Sequence, residues 1–167
     1  MTRDAENQTS DTGVVKGAVH APLWLLALIT LSGTLAMHIF VPALPLAGQD
    51  LQAGASAMQL TLSAYIIGLS IGQLTYGPIS DRFGRRPVLI VGIILYFIAS
   101  LAALLAPTVQ ALIVTRFFQA LGGCAGLVLG RAIVRDSVSG SDAARRLSLM
   151  NLMVMAGPGL APLIGSL

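Results

Sequence analysis

Polar and apolar positions along the chain come in long blocks rather than in the short alternations of strands or half-buried helices. Five blocks are apolar almost throughout and about twenty residues long, which is what a helix needs to cross the roughly 30 Å hydrocarbon core of a bilayer. They cover residues 22–41, 58–79, 88–106, 108–130 and 147–167. Pro42 and Pro45 are expected to end the first, and Pro87 and Pro107 to bracket the third, because proline breaks the backbone ladder. Residues 1–21 form a polar tail. No cleavable signal peptide is expected, since the first apolar run is long, four more follow, and about twenty polar residues precede it. The pattern predicts an all-α, polytopic membrane protein.

Composition agrees. Hydrophobic residues make up 55% of the chain and charged residues 10%, against roughly 25% charged in a soluble domain. The one cysteine, Cys124, excludes an internal disulfide and reads as a packing residue among glycines. A net charge of +3 comes without a basic, aromatic-interleaved surface, so no nucleic-acid partner is expected.

The cations are unevenly placed. Arg3 and Lys16 lie in the tail; Arg82, Arg85 and Arg86 follow the second block; Arg131, Arg135, Arg145 and Arg146 follow the fourth. The segment after the first block and the turn at Pro107 have none. Positive residues stay on the cytoplasmic side, so the N terminus is expected inside and the fifth helix is expected to end outside. The chain stops within its last apolar block, which reads as a fragment of a longer protein.

Arg116 is the exception, a charge inside an apolar block. Such a residue costs about 2.5–3.5 kcal/mol on insertion scales and faces a polar interior. It reads either as a transport or coupling site or as a structural arginine bonded to neighbouring helices. Arg116, Gln119, Gly123, Gly126 and Gly130 share one face of the fourth helix, while Phe117, Leu121 and Val128 suit lipid or an apolar partner on the other. In the second helix Tyr65, Gly68, Gly72 and Tyr76 share a face with Gln73 beside them, and in the fifth Asn151, Met155, Pro158, Pro162 and Gly165 do. Tyr65, Gln73, Tyr76 and Asn151 are candidate cavity-lining residues. His38, near the end of the first block, is either a proton carrier, since histidine switches charge near neutral pH, or a neutral hydrogen-bonded side chain. Pro158 and Pro162 free backbone carbonyls inside the fifth block, making a gate or a passive kink.

The segment Gly77-Pro78-Ile79-Ser80-Asp81-Arg82-Phe83-Gly84-Arg85-Arg86-Pro87 joins two blocks through a short loop. Topogenic charge explains the arginines but not the aspartate and the glycine at these offsets. G-x-x-x-D-R-x-G-R-R resembles the signature loop of the major facilitator superfamily. Leu112 to Cys124, with Arg116, Gln119 and Gly122, resembles that family's fourth-helix motif, and Ala161-Pro162-Leu163-Ile164-Gly165-Ser166 resembles the fifth-helix motif of its proton antiporters. Pro42-Ala43-Leu44-Pro45, Gly72 to Pro78 and Gly130 to Asp136 are similar to the Bcr/CflA group of drug-resistance transporters.

The resemblance implies helices one to five of a twelve-helix fold built from two six-helix halves. It implies a secondary active transporter that exports small drug-like compounds across a bacterial inner membrane, with the proton gradient as energy source and no cofactor. Its partners would be the bilayer, protons and a small-molecule substrate. Arg116, with Gln119, would couple proton and substrate, and His38, where the group often has an aspartate, is the candidate acid. Gly77, Asp81, Arg82, Gly84, Arg85, Arg86 and Asp136 would form a cytoplasmic gating loop and charge network. Pro158, Pro162 and Gly165 would shape the antiport gate. The alternatives are a truncated chain that transports nothing or serves as a membrane interaction partner, and, remotely, a membrane-embedded enzyme. For the last, Asp81, Asp136 and Asp142 with His20 and His38 are too scattered to suggest a metal site, and no enzyme is expected.

Overall fold

In a computed structural model of the protein, residues 23–137, 142, 144–152, 154 and 155 are described. Four long helices follow one another: α1 (Leu23–Asp50), α2 (Ala55–Phe83), α3 (Arg85–Leu104) and α4 (Val109–Ser137). All four are long and apolar enough to cross a membrane. Residues 144–152, 154 and 155 are also helical, and the rest of the fifth apolar block, with Pro158, Pro162 and Gly165, lies outside the described residues.

The helices outlast the apolar blocks that predicted them. Pro42 and Pro45 do not end the first helix; α1 runs through both to Asp50. Each proline frees one carbonyl a turn back, those of His38 and Val41. Both residues are exposed, close to where water and headgroups reach a spanning helix. The extra turns are held from the far side. Gly48 accepts the Ala53 amide at 2.9 Å and packs beside the buried Met58 at the start of α2. Pro87 likewise falls within the first turn of α3, where an amide would have no helical partner anyway. α4 continues past Gly130 to Ser137, so Arg131, Arg135 and Asp136 sit on a helix rather than in a loop.

α4 is the central element. It packs on α1, α2 and α3, and 56% of its most apolar window is buried, against 22–28% for the other three. The contacts fix the directions. Gly33 meets Gly123 and Ile29 meets Gly126, so α1 is antiparallel to α4. Gly68 meets Ala120 and Gly72 meets Cys124, so α2 is parallel to it. Gly92 meets Ala125 while Tyr96 meets Gly122, so α3 is antiparallel. Small residues let backbones touch without a driving force from water. A Cβ on Gly122 would fall 2.8 Å from the Gly92 carbonyl oxygen and strike the Tyr96 amide, and one on Gly33 would lie 2.9 Å from the Gly123 carbonyl oxygen. The face bearing Phe117 and Leu121, open in the sequence between lipid and an apolar partner, turns its backbone to α2 at Gly68 and Gly72.

Cys124 is fully buried in this seam, with Leu26, Tyr76, Leu89, Ala125 and Leu129 in the same core. The outward faces carry Ile67, Leu74, Val91, Phe97 and Leu104, all exposed. A surface so continuously apolar suits lipid and not water.

Candidate functional site

The first polar centre lies between all four helices. Arg116 enters it two turns into α4, and only 4% of the residue is exposed. Its guanidinium donates to Gln119 Oε1 at 2.7 Å, one turn along the same helix. Gln119 passes the chain on by donating to Ser100 Oγ of α3 at 2.9 Å, and Ser100 donates to the Tyr96 carbonyl at 2.7 Å. On the other side both terminal nitrogens of Arg116 reach the Ala36 carbonyl of α1 at 3.5 Å, the outer limit of a hydrogen bond. The charge rests over the Phe40 ring, 3.6 Å from its centroid, and 5.0 Å from that of Tyr65. Both are within cation–π range.

Three helices therefore converge on one stretch of α1 backbone. Tyr65 of α2 donates to the Gly33 carbonyl, Tyr96 of α3 donates to the Ser32 carbonyl at 3.1 Å, and Arg116 of α4 reaches Ala36. A turn away, Thr30 donates to its own Leu26 carbonyl at 2.8 Å and to Gly126 of α4 at 3.1 Å.

Among the described residues, rings and dipoles compensate the buried charge and no carboxylate does. Among the described residues the ion pairs are those of Arg85, and Arg116 Nε is buried without a hydrogen-bond partner. An arginine with five donors and no counter-ion is poised to take an acceptor that brings negative charge.

The second centre lies where α2 gives way to α3. Residues 77 to 87 are not a loop. α2 runs through Asp81 and Arg82 to Phe83, α3 starts at Arg85, and Gly84 alone separates them. The reversal rests on Gly84, whose φ of +91° with ψ of 152° is a conformation glycine alone adopts readily; its amide bonds the Ser80 carbonyl at 2.9 Å. Across this turn Arg85 is bonded to Asp81 Oδ1 at 2.8 Å and to Asp136 Oδ2 on the last turn of α4 at 3.2 Å, and it also donates to Ser80 Oγ. Arg82 lies over the Phe83 ring at 5.5 Å, and Arg86 is exposed.

The two centres take up most of the residues singled out by sequence. Arg116, Gln119 and Tyr65 are brought together, and so are Asp81, Arg85 and Asp136. Gln73, Gly77 and Asn151 line a groove of about 620 Å³ beside the second centre. Tyr76 is buried in the apolar core, away from that groove. His38 is exposed on α1, two residues from both Ala36 and Phe40, and has no bond to Arg116. Phe40, Tyr96 and Ser100 belong to the first centre and were not singled out. Tyr96 and Ser100, four apart in an otherwise apolar block, were the available signal.

Comparison with known proteins decides the family. The sequence profile of the Major Facilitator Superfamily matches residues 26–167. The chain belongs to this superfamily. In its twelve-helix fold α1–α4 are the first four helices, and the protein is an integral membrane protein. A Major Facilitator transporter of Bacillus subtilis, itself uncharacterised, is 40% identical over 142 residues, which are 85% of this chain and 35% of that protein. Multidrug resistance protein D of Escherichia coli is 37% identical over 87% of this chain and 37% of its own length. A chloramphenicol resistance protein of Pseudomonas aeruginosa is 36% identical over 88% and 35%. The chain thus spans little more than a third of the length of these superfamily relatives.

Proposed function

We propose that this chain supplies the opening helices of a Bcr/CflA-type exporter, a secondary active transporter that moves small drug-like compounds out across a bacterial inner membrane in exchange for protons. Transport, on this reading, takes the rest of the two-half protein as well. The single observation that supports it most is the buried Arg116 at the meeting point of four spanning helices, without a counter-ion among the described residues. Relatives named for multidrug and chloramphenicol resistance support the substrate class.

The chemistry is a competition. Beside its bond to Gln119 at 2.7 Å, Arg116 is held by weak partners, a carbonyl at 3.5 Å and two ring faces. A carboxylate presented by substrate or by another helix takes two parallel charge-assisted hydrogen bonds from a guanidinium, more than one carbonyl at the limit of bonding distance offers. Its arrival pulls Arg116 from Ala36, and its protonation or departure returns it. Exchange needs the two ligands to exclude one another, and one guanidinium shared between them does that. His38 is the proton carrier in this scheme. It acts through the α1 segment 36–40 that holds Arg116, not by a direct bond. Asp81, Arg85 and Asp136 tie α2, α3 and α4 together at the cytoplasmic end, with the N terminus on the same side. Pro158, Pro162 and Gly165 form the antiport gate.

The test uses the longer protein in everted membrane vesicles. Arg116→Ala, expressed at the normal level, is expected to lose gradient-driven drug efflux by about 100-fold or more, and Arg116→Lys to recover only part, because an ammonium lacks the planar fork. Normal efflux by Arg116→Ala would refute the coupling role. His38→Ala is expected to change the pH dependence of efflux while leaving drug binding intact.

A further inference from the structure

The guanidinium of Arg116 is gripped at one corner and bare along one edge. Nη1 donates to Gln119 Oε1 at 2.7 Å. Nη1 and Nη2 together face the Ala36 carbonyl at 3.5 Å, and the Phe40 ring covers one face at 3.6 Å. That leaves the edge formed by Nε and Nη2. Among the described residues Nε is buried without a hydrogen-bond partner, and Nη2 has only the long contact to Ala36. A carboxylate fits such an edge with two parallel bonds. Which edge stays bare is set by Gln119, and Gln119 is itself held from α3. Its Nε2 donates to Ser100 Oγ at 2.9 Å. Ser100 has one hydroxyl proton and donates it to the Tyr96 carbonyl at 2.7 Å, so it meets Gln119 as an acceptor. Every donor from Arg116 through Gln119 and Ser100 to Tyr96 thus points the same way, and Gln119 turns its oxygen to Arg116. A helical serine does not need such a second bond. Ser70 of α2 donates to its own helix in the same manner and holds no side chain of a neighbour among the described residues.

We infer that Ser100 is a positioning residue for Arg116: it holds the Gln119 carboxamide, which holds Nη1 and so keeps the Nε–Nη2 edge for an incoming carboxylate. Ser100 acts only through Gln119. The relay is buried where it matters, since Gln119 is 7% exposed, and a buried amide donor takes an acceptor wherever one is within reach. Without the Ser100 oxygen the Gln119 amine turns to another carbonyl, its own oxygen leaves Nη1, and the guanidinium rotates out of register. The carboxylate then meets an arginine whose bare edge is no longer presented to it. The inference rests on the coupling role proposed for Arg116.

The experiment pairs Ser100→Ala, which removes only the oxygen and suits a helix, with Ser100→Thr and Ser100→Val, which share one shape and differ in the hydroxyl. In the longer protein in everted vesicles, Ser100→Ala and Ser100→Val are expected to lose gradient-driven drug efflux by about tenfold, while drug still moves down its own gradient at the parent rate. Ser100→Thr is expected to stay near the parent in both. A residue that only packed α3 on α4 would treat threonine and valine alike and would slow both movements. A second readout needs no transport. In nitrogen NMR of the 167-residue chain in detergent with isotope-labelled arginine, Arg116 is the signal lost in Arg116→Lys. Its Nη resonances should be separate and slow to interchange, should merge in Ser100→Ala and should persist in Ser100→Thr. Unchanged Nη resonances in Ser100→Ala, or equal efflux in the threonine and valine variants, would overturn the positioning role. Arg116→Ala is run alongside. Lost efflux there with normal efflux in Ser100→Ala sinks this inference alone, and normal efflux in Arg116→Ala sinks the coupling reading and this inference with it.

Discussion

At the scale of residues, the two centres differ in kind although both are built on arginine. Arg85 has two carboxylates, but its side chain is 28% exposed and those of Asp81 and Asp136 are 66% and 50% exposed. Ion pairs in such surroundings contribute about 0–1 kcal/mol, and salt screens them. Asp136→Asn should therefore move the melting temperature of the detergent-solubilised protein little. Among the described residues Arg116 has no carboxylate, yet its ring contact is buried, and a desolvated cation–π pair contributes about 2 kcal/mol. Phe40→Leu should lower thermal stability more than Asp136→Asn does. The opposite order would mean that the exposed network holds the helices together. The Arg116 centre was only half legible in the sequence. Arg116 and Gln119 are neighbours on one helix and show as a pair. Phe40 and Ser100 come from other helices, 76 and 16 residues away along the chain, and only the crossing of α1 and α3 over α4 puts them there.

At the scale of elements, the one-residue connection between α2 and α3 and the touching backbones set strict local demands. Gly84→Ala places a side chain at φ +91°, a conformation that costs about 1–3 kcal/mol outside glycine. Gly77 provides the control, since nothing stands within 4 Å of a Cβ built there. Melting curves of the two alanine variants should separate by several degrees, with Gly77→Ala near the parent. Equal melting would mean that the α2–α3 turn takes another shape. The need for Gly84 was legible, because a glycine between charged residues marks a tight turn. The true helix ends were not. Proline was read as a stop, but the continuation of α1 depends on Met58 meeting Gly48, a contact between two helices that no local pattern encodes. The fifth-helix motif at Ala161 to Ser166 lies outside the described residues.

At the scale of the whole molecule, the alternation of four antiparallel neighbours puts the arginine-rich turn and the end of α4 on one side and the α1–α2 and α3–α4 connections on the other. With the arginine-rich side cytoplasmic, as proposed from the positive-inside rule, single cysteines at Gly54 and Thr108 should react with a membrane-impermeant maleimide in intact cells, and cysteines at Arg86 and Asp142 only after lysis. Labelling of all four from outside would contradict the arrangement. The native Cys124 is buried and should give no background. The convergence of Tyr65, Tyr96 and Arg116 on α1 has a further consequence, for how this helix tolerates change over generations. All three donors bond main-chain oxygens, at Ser32, Gly33 and Ala36, and an oxygen of the main chain survives any substitution of its own residue. Apart from Thr30, which itself donates to Gly126, the moorings of α1 are thus written in the codons of its neighbours. Its own letters at Ser32 and Ala36 are free to drift wherever size allows, while the two tyrosines and the arginine are not.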